Sequence, residues 1–272
     1  MIEEATGSES VRLAYDRIAH DYDRQVAGDA WMRSILWREY ARLFHAGDRI
    51  LDVSCGTGLD AVFLARRGIR VTGIDVSPEM IAALRERVAS ERLDEMIDAR
   101  VLDHADLNLL PEGSFDGIVS AFAGLNTSSD LARFANNAAK LLRPNGRVVI
   151  HMLNRFSLWE WLGLVAHGRL SDAQRLGHDS YRDFTIGDIR VKHTLYSPLH
   201  AYRSYFSSEF LLIRAFALGV LRPPHTMRMV PVPVARLLGH VEARISSHRP
   251  WLNCGRFFVL ELVKRPNDER EP

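Results

Sequence analysis

The residues best suited to chemistry lie in one short segment, Ile50-Leu51-Asp52-Val53-Ser54-Cys55-Gly56-Thr57-Gly58-Leu59. The small residues Ser54, Gly56 and Gly58 permit a tight turn, in which a ligand could lie against bare backbone. A helix that begins after such a turn offers unpaired N–H groups at its N-terminus. The segment therefore indicates a site for a nucleotide-like ligand. Asp52, at the end of the preceding strand, could hold a ligand ammonium and would repel a pyrophosphate.

Two further acids follow the next two predicted strands. Asp75 lies about 20 residues beyond the glycine turn, where a carboxylate can accept hydrogen bonds from both hydroxyls of an adenosine ribose. Asp106 follows the third strand and could take the adenine amino group. Each Asp alone could equally be a helix cap or a turn residue. Three acids after three consecutive strands together favour one nucleotide site.

The elements that must position these acids form an alternating pattern. Short apolar runs alternate with amphipathic stretches between residues 49 and 152, which is typical of βαβ units on a parallel sheet. The predicted strands cover residues 49–53, 69–74, 99–103, 115–120 and 147–152. A helix is predicted to begin at Ser77-Pro78, because a hydroxyl at the N-cap and a proline in the first turn both favour a helix start.

The flanking regions differ from this core. Residues 10–44 are predicted to be helical, and Gly187-Asp188 is predicted to join the strands of a hairpin. Beyond the hairpin we predict helices over residues 208–218 and 234–246 and a last strand over 257–263. The resulting division is 1–45 as an N-terminal helical cap, 46–154 as the core, 155–206 as a substrate-covering insertion and 207–272 as the completion of the core sheet.

At this point the sequence resembles a known family, the class I S-adenosylmethionine-dependent methyltransferases, in the small-molecule branch with the ubiquinone/menaquinone-type enzymes. The resemblance covers residues 11–152 and, more loosely, the final strand. It rests on five blocks in the family's order: 51–58, 73–80, 106–111, Phe115-Asp116 and 141–147. It implies an α/β fold with a Rossmann-like seven-stranded, mostly parallel sheet flanked by helices. The last strand would be antiparallel, with an N-terminal helical cap and an insertion after strand five.

The resemblance also implies S-adenosyl-L-methionine as the cofactor. In that family the glycine turn lies under the methionine moiety, the acid after strand two binds the ribose and the acid after strand three reads the adenine. A tyrosine of the N-terminal segment lies near the cofactor carboxylate, and Tyr15 is our first candidate. The predicted cofactor-binding residues are Tyr15, Tyr22, Asp52, Ser54, Gly56, Gly58, Asp75, Val76, Met80, Asp106, Leu107, Ala121 and Asn126.

One position departs from the family pattern. Ser54 stands where the family more often has glycine. A serine fits the turn if its φ is negative. We therefore expect the turn to differ in detail from the family pattern without loss of cofactor binding.

The implied chemistry is an in-line displacement at a sulfonium methyl, which depends on holding nucleophile and methyl at near-attack distance. A general base is needed only for a protonated nucleophile. His151, at the end of strand five, is a candidate base or a hydrogen-bonded structural residue. His193 is a second candidate, or it points outward from the hairpin. The Asn/Asp-Pro-Pro-aromatic motif of nucleic-acid amino methyltransferases is missing after strand four.

The insertion is predicted to determine the acceptor. Its aromatic and basic side chains suit a small aromatic or acidic molecule, or they bury one another as a lid. The candidate substrate-binding residues are Tyr181, Tyr196, Tyr202 and Arg203.

Composition bounds these expectations. The 272 residues are 47% hydrophobic and 25% charged, which is typical of a globular protein. The net charge of +1 gives no overall attraction to nucleic acid, although residues 1–150 carry −5 and residues 151–272 carry +6.

No apolar run reaches the roughly 18 residues of a membrane span, and no signal peptide is evident, so a cytoplasmic location is expected. Neither metal-ligand spacing nor a disulfide framework is present, and Cys55 and Cys254 are expected to be free thiols.

The function expected is methyl transfer to a small-molecule acceptor in biosynthesis, with oxygen favoured and nitrogen or carbon as alternatives. A second candidate is a non-catalytic protein that binds S-adenosylmethionine as a structural or regulatory ligand. A nicotinamide oxidoreductase is disfavoured by Asp52 and by the turn spacing, and a nucleic-acid-modifying enzyme by the near-neutral charge. The sequence leaves the oligomeric state open.

Overall fold

The fold is built on one seven-stranded sheet. The computed structural model describes residues 7–223 and 231–266, and the following bounds refer to these ranges. The strands of the sheet are β1 (Arg49–Val53), β2 (Arg70–Asp75), β3 (Ile97–Val101), β4 (Phe115–Ser120), β5 (Leu142–Leu153), β8 (Phe210–Leu218) and β9 (Phe257–Lys264). Their order across the sheet is β3-β2-β1-β4-β5-β9-β8.

Strand direction confirms the predicted fold class. Strands β1 to β5 pair in parallel, whereas β9 runs antiparallel to both β5 and β8. The last strand of the chain is thus the antiparallel one. In a sheet of this kind ligands bind outside the carboxyl ends of the parallel strands, which fixes the edge where a site is expected.

Helices cover both faces of the sheet. They are α1 (Ser8–Ile18), α2 (Tyr22–Val26), α3 (Ala30–Leu43), α4 (Leu59–Ala65), α5 (Pro78–Glu91), α6 (Leu131–Leu141), α7 (Leu158–Ala166), α8 (Leu170–Arg175), α9 (Pro198–Ala201) and α10 (Val232–Ile245). One apolar cluster packs α6 against one face of the sheet, and the other packs α3, α4 and α5 against the opposite face. Within the described ranges, no helix is long and apolar enough to cross a membrane.

Local sequence accounts for the helix that follows β2. Ser77 is the N-cap of α5, and its Oγ accepts a hydrogen bond from the Met80 backbone N–H at 3.1 Å. Pro78 occupies the first helical position, where its missing N–H leaves no donor unpaired. The predicted helix start is confirmed, and it anchors the turn directly after Asp75.

The insertion after β5 contains α7, α8, α9 and the hairpin of β6 (Tyr181–Ile186) and β7 (Ile189–Thr194). The predicted hairpin is confirmed. Gly187 and Asp188 both have positive φ, 52° and 72°, as a two-residue turn between twisted strands requires. Whether residues 1–45, 46–154, 155–206 and 207–272 are separate units stays a prediction.

One predicted element is wrong. Residues 208–218 were expected to form a helix, but Phe210–Leu218 is the edge strand β8. Its second half, from Ala215 to Leu218, is buried throughout, so the apolar run lacks the alternation of a half-exposed strand. A register shift between Leu212 and Arg214 interrupts the pattern further. Apolar runs of this length do not distinguish a strand from a buried helix.

The N-terminal helices attach to the turns at the carboxyl edge of the sheet. Ser77 Oγ donates to Asp16 Oδ1 on α1 at 2.6 Å, and Thr57 Oγ1 donates to Asp23 Oδ1 on α2 at 2.6 Å. On its other side α1 reaches the hairpin, where Arg17 forms an ion pair with Asp188. The cap therefore lies over the region between the glycine turn and the insertion.

Candidate active site

An open cleft of about 510 Å³ lies at the carboxyl edge of the parallel strands, beneath the cap. It is lined by Val11, Tyr15, Tyr22, Ser54, Gly56, Asp75, Val76, Met80, His104, Ala121, Phe122, Gly124 and Thr127. Eight of the predicted cofactor residues are among them, contributed by the cap and by the segments after β1, β2 and β4.

The glycine turn has a left-handed backbone at three positions. Ser54, Gly56 and Gly58 have φ values of 57°, 54° and 81°. The expectation of a negative φ at Ser54 is therefore wrong. The turn is fixed by hydrogen bonds from Cys55 N to the Ile74 carbonyl and from Gly58 N to the Cys55 carbonyl, both 3.0 Å, which determine the backbone irrespective of the Ser54 side chain.

Gly58 does not line the cleft, and its backbone packs closely against the side chain of Leu84. A Cβ atom at position 58 would lie 2.1 Å from Leu84 Cδ1. We expect Gly58→Ala to lower the free energy of unfolding by about 2–4 kcal/mol, from the left-handed backbone together with the overlap. Urea denaturation would measure the loss. Gly113→Ala is the matched control, because Gly113 has a φ of 61° and open space around it. Equal losses in the two variants would show that the contact with Leu84 is unimportant.

Asp75 is the buried acid of the cleft. Its Oδ2 accepts from Gly56 N and its Oδ1 from Ser77 N, both at 2.9 Å. Each oxygen keeps a further lone pair for a ligand hydroxyl. Burial raises the pKa of Asp75 to about 6, although the two backbone N–H groups lower it.

This raised pKa predicts opposite effects of acid on stability and on ligand binding. The folded-state pKa of about 6 exceeds the ordinary value of 3.8, so protonation at Asp75 favours folding as the pH falls from 7 towards 4. An ionised carboxylate accepts ribose hydroxyls better, so affinity for S-adenosylhomocysteine should fall over the same range, by up to about tenfold per pH unit below 6. Calorimetric titration from pH 5 to 8 tests this. Asp75→Asn should remove this part of the pH dependence of ligand affinity. If the same pH dependence persisted in the variant, a group other than Asp75 would be its cause.

A second, polar cavity of about 240 Å³ adjoins the cleft on the other side of the glycine turn. The two cavities share Tyr22, Ser54, Ala121 and Phe122. The remaining lining residues are Arg33, Cys55, Thr57, Leu59 and Asp60. The two cavities therefore meet at four shared residues, with a buried acid lining one cavity and a charged pair lining the other.

The charged pair of the polar cavity consists of Arg33 on α3 and Asp60 on α4, both buried. The Arg33 guanidinium forms an ion pair with Asp60, and Trp37 Nε1 donates to Asp60 Oδ1 at 2.6 Å. The guanidinium also lies 4.3 Å from the centroid of the Phe122 ring. Sequence reasoning missed Arg33, because no local pattern links it to an acid 27 positions away.

Asp52 lies beneath the turn rather than in the cleft lining. It is 1% exposed, and its Oδ2 has no hydrogen-bond partner among the residues described. Burial, with Asp60 nearby, raises the pKa of Asp52 well above its ordinary value, while Arg33 lowers it. Asp52 lines neither the polar cavity nor the cleft, so its predicted contact with a ligand ammonium stays a prediction.

The two tyrosines of the cap meet edge to face over the cleft, with ring centroids 6.3 Å apart. Tyr22 Cε1 would lie 3.5 Å from a Cβ at Gly56, so its ring closes over the glycine turn. Burial raises the pKa of Tyr22 to about 12 and that of Tyr15 further. Both hydroxyls are therefore hydrogen-bond donors at neutral pH.

Comparison with known families agrees with this geometry. Residues 50–146, which run from β1 through the start of β5, match the family described as a methyltransferase domain. This segment is therefore similar to a class I methyltransferase domain. S-adenosylmethionine is the cofactor of such a domain, and a cleft with a buried acid at one end and an unpartnered buried carboxylate beneath the turn fits it.

Relatives with assigned names extend the comparison. The chain is 36% identical over 143 residues to a demethylmenaquinone methyltransferase of Tropheryma whipplei, which covers 52% of this chain and 57% of that protein. It is 35% identical over 144 residues to a ubiquinone biosynthesis O-methyltransferase of Xanthomonas axonopodis, covering 53% and 59%. The chain thus matches little more than half the length of these relatives.

A solved structure shows the same fold over most of the chain. A geranyl diphosphate C-methyltransferase from Streptomyces coelicolor, crystallised with S-adenosyl-L-homocysteine, has a TM-score of 0.55 and 16% identity. The likeness covers 90% of this chain and 84% of that one. At this identity the likeness concerns the fold alone.

The predicted adenine acid does not line the cleft. Asp106 is exposed, and Leu107 is buried in the apolar core beside it. The segment contributes His104 to the cleft instead, next to Asp103. Asp106 was misplaced because the segment forms 3₁₀ turns with a kink at Asp106 itself, which a sequence pattern does not register.

Asn126 is a structural residue rather than a cofactor ligand. It is fully buried, and its Nδ2 donates to the Thr194 carbonyl at 2.6 Å. Its Oδ1 accepts from Leu153 N at 3.0 Å. The side chain thus joins β5 to the base of the hairpin, and the prediction that it binds the cofactor is not supported.

The prediction of His151 as a general base is wrong. His151 is 1% exposed and does not line the cleft, and its Nδ1 accepts from Phe122 N at 3.1 Å. Burial, with Arg33 and Arg256 nearby, lowers the pKa of His151 to about 3. The neutral ring carries its proton on Nε2, because Nδ1 accepts from Phe122 N, so His151 has no free lone pair for a substrate proton.

His193 lies on the inner face of the hairpin. Its Nδ1 is 3.1 Å from the Val191 carbonyl, so this nitrogen donates and Nε2 has the free lone pair. Burial lowers the pKa of His193, and the ring of Phe184 packs edge-on against it. It does not line the described cleft, so its catalytic role stays a prediction.

The predicted substrate residues are not brought to the cleft. Tyr181 is 56% exposed and lies under Lys192, and Arg203 is also exposed. Tyr196 packs in the core against Tyr205, and Tyr202 donates to the Phe210 carbonyl at 3.2 Å. The contact between Tyr196 and Tyr205 is of the kind that the lid alternative predicts, whereas Tyr181 is not buried in this way.

Proposed function

We propose that this chain transfers a methyl group from S-adenosylmethionine to a small-molecule acceptor, with oxygen as the favoured atom. The observation that supports this most directly is the pair of cavities that share residues over the glycine turn. An elongated ligand that carries a nucleoside at one end and an amino acid at the other matches their polarity.

We assign the adenosine half to the larger cleft. Asp75 would accept hydrogen bonds from the ribose hydroxyls, and His104 would border the base. The backbone of Gly56 would face the ligand directly, since a side chain there would approach Tyr22.

We assign the amino-acid half to the polar cavity. Arg33, which lines this cavity, would pair with the carboxylate. Asp52 lines neither cavity, and it stays a candidate partner for the ammonium because its buried Oδ2 has no donor among the described residues. The shared residues Tyr22, Ser54 and Phe122 would then border the sulfonium. The reactive carbon would lie where the cleft is bordered by an aromatic ring.

When bound, S-adenosylmethionine supplies an electrophilic methyl group on its sulfonium. The chain's own contribution is orientation, because in-line displacement gains most from a fixed distance and angle between nucleophile and methyl. As the bond from the acceptor atom to the methyl carbon forms, the carbon–sulfur bond breaks and S-adenosylhomocysteine is released. The cap residues Tyr15 and Tyr22 would exclude water from this step.

The proton of a hydroxyl acceptor must leave during or before the transfer. His193 is our candidate to receive it at Nε2, since the Nδ1 contact to Val191 leaves that nitrogen free. A pKa lowered by burial keeps the imidazole neutral and able to accept a proton at pH 7.

The acceptor class follows from the relatives. The names of the two relatives place them in menaquinone and ubiquinone biosynthesis, and one is an O-methyltransferase. We propose an aromatic acceptor with an ionisable hydroxyl, which the basic C-terminal half of the chain would favour as an anion.

Calorimetric titration with S-adenosylmethionine and S-adenosylhomocysteine, with NADH as the control ligand, tests the cofactor assignment. We expect micromolar binding of the first two ligands only. Binding of NADH alone would favour an oxidoreductase instead. Transfer of a radioactive methyl group to a panel of phenolic acceptors then tests catalysis, and tight cofactor binding without transfer to any acceptor class would favour the non-catalytic alternative.

A further inference from the structure

The segment after β4 has an unusual backbone. Phe122 and Ala123 are consecutive non-glycine residues with φ values of 50° and 68°. Left-handed conformations are disfavoured for residues with a side chain, and successive ones persist only where the surroundings determine them. Phe122 lines both cavities, so this strained turn forms part of the junction where the sulfonium is placed.

His151 on the neighbouring strand β5 holds this turn at two points. Phe122 N donates to its Nδ1 at 3.1 Å, and Ala123 N donates to its backbone carbonyl at 3.1 Å. The imidazole ring lies 5.1 Å from the Phe122 ring and 4.4 Å from the Phe257 ring, between centroids. Both amides of the left-handed turn are thus satisfied by one residue.

This arrangement leaves a buried hydrogen-bond donor unpaired, which an apolar side chain in the core would not do. Because Nδ1 accepts, the proton of the neutral ring is on Nε2, which is buried without a partner among the described residues. Unpaired buried donors are uncommon in folded proteins. An apolar side chain of similar size would remove that donor and pack equally well, but it would leave Phe122 N unpaired.

We infer that His151 is a positioning residue, whose neutral imidazole holds the Phe122–Ala123 turn in the conformation that shapes the cofactor junction. The inference rests on the proposed function for the identity of the ligand. Without the acceptor at Nδ1, the turn relaxes towards negative φ and moves the Phe122 ring away from the junction. The histidine acts on binding through this turn, and it neither touches the ligand nor moves a proton.

Two variants of the full chain test the inference by binding of S-adenosylhomocysteine. His151→Phe keeps an aromatic ring but removes the acceptor, and we expect the dissociation constant to rise about tenfold or more. Adding Ala123→Gly to that variant should recover a large part of the affinity, because glycine adopts positive φ at no steric cost. Ala123→Gly alone is the reference for this recovery, and thermal melting confirms that each protein is folded.

Each outcome is decisive. An unchanged dissociation constant in His151→Phe would overturn the inference. A double variant that binds no better than His151→Phe would also overturn it, since the loss would then come from core damage. If His151→Phe does not fold, His151→Gln is compared with the wild type. Retained affinity is the expected result, because a glutamine oxygen can accept from Phe122 N, and a tenfold loss of affinity in the folded variant would overturn the inference.

A ligand-free measurement separates this inference from the proposed function. Nitrogen-15 NMR of the wild-type imidazole should show Nδ1 unprotonated and Nε2 protonated between pH 5 and 8. A protonated Nδ1 would overturn the positioning role whether or not the ligand binds. Failure of the wild-type protein to bind S-adenosylhomocysteine, with the expected tautomer present, would instead contradict the proposed function.

Discussion

Replacing Asp75 with alanine should weaken S-adenosylhomocysteine binding roughly ten- to hundredfold. The variant loses charge-assisted hydrogen bonds to the ribose hydroxyls, worth about 1.5 to 3 kcal/mol. It also leaves Gly56 N and Ser77 N without their acceptor, which loosens the turn under the ligand. Isothermal titration calorimetry of the folded variant gives the change directly.

Asp106→Ala is the matched control for this experiment. Asp106 is exposed and outside the cleft, so its removal should leave the affinity within about twofold of the wild type. An unchanged affinity in Asp75→Ala would show that the ribose lies elsewhere. A loss in Asp106→Ala would restore the original assignment of that residue to the adenine.

Replacing Arg33 with methionine should lower the free energy of unfolding by about 3–5 kcal/mol, because it leaves the buried carboxylate of Asp60 without its ion-pair partner. The hydrogen bond from Trp37 Nε1 remains but does not neutralise the charge. Denaturant titration measures the loss. Binding of S-adenosylhomocysteine should weaken as well, since Arg33 is the proposed partner of the ligand carboxylate.

The double variant Arg33→Met/Asp60→Leu separates the two effects. Replacing both charges with apolar groups should recover part of the stability, with the indole N–H of Trp37 left unpaired. Affinity for the ligand should stay low. If affinity returned together with stability, the role of Arg33 would be structural only.

The sequence predicted those parts of the molecule that depend on neighbouring residues. The limits of β4, the hairpin turn at Gly187-Asp188 and the helix start at Ser77 follow from local patterns of apolarity, turn residues and caps. The three-strand arrangement of acids placed Asp75 correctly, because the end of a strand in a parallel sheet fixes the location of its side chain.

The failures involve partners that are distant in sequence. The role of His151 depends on the Phe122 amide, 29 positions away, and that of Asn126 on the Thr194 carbonyl, 68 positions away. A sequence shows that such a residue is polar and near a strand end, but it does not show whether a backbone group has already taken its hydrogen-bonding capacity. For this reason the sequence predicted functional roles for His151 and Asn126, whose side chains instead hydrogen-bond to the backbone.

The attachment of α1 has a kinetic consequence. Asp16 holds the turn after β2 through Ser77, and the adjacent Arg17 holds the hairpin tip through Asp188, 171 positions along the chain. A rigid movement of α1 away from the cleft breaks both contacts at once. The residence time of a molecule beneath the cap therefore depends on an ion pair that never touches it, and exchange at the cleft is coupled to release of the hairpin tip.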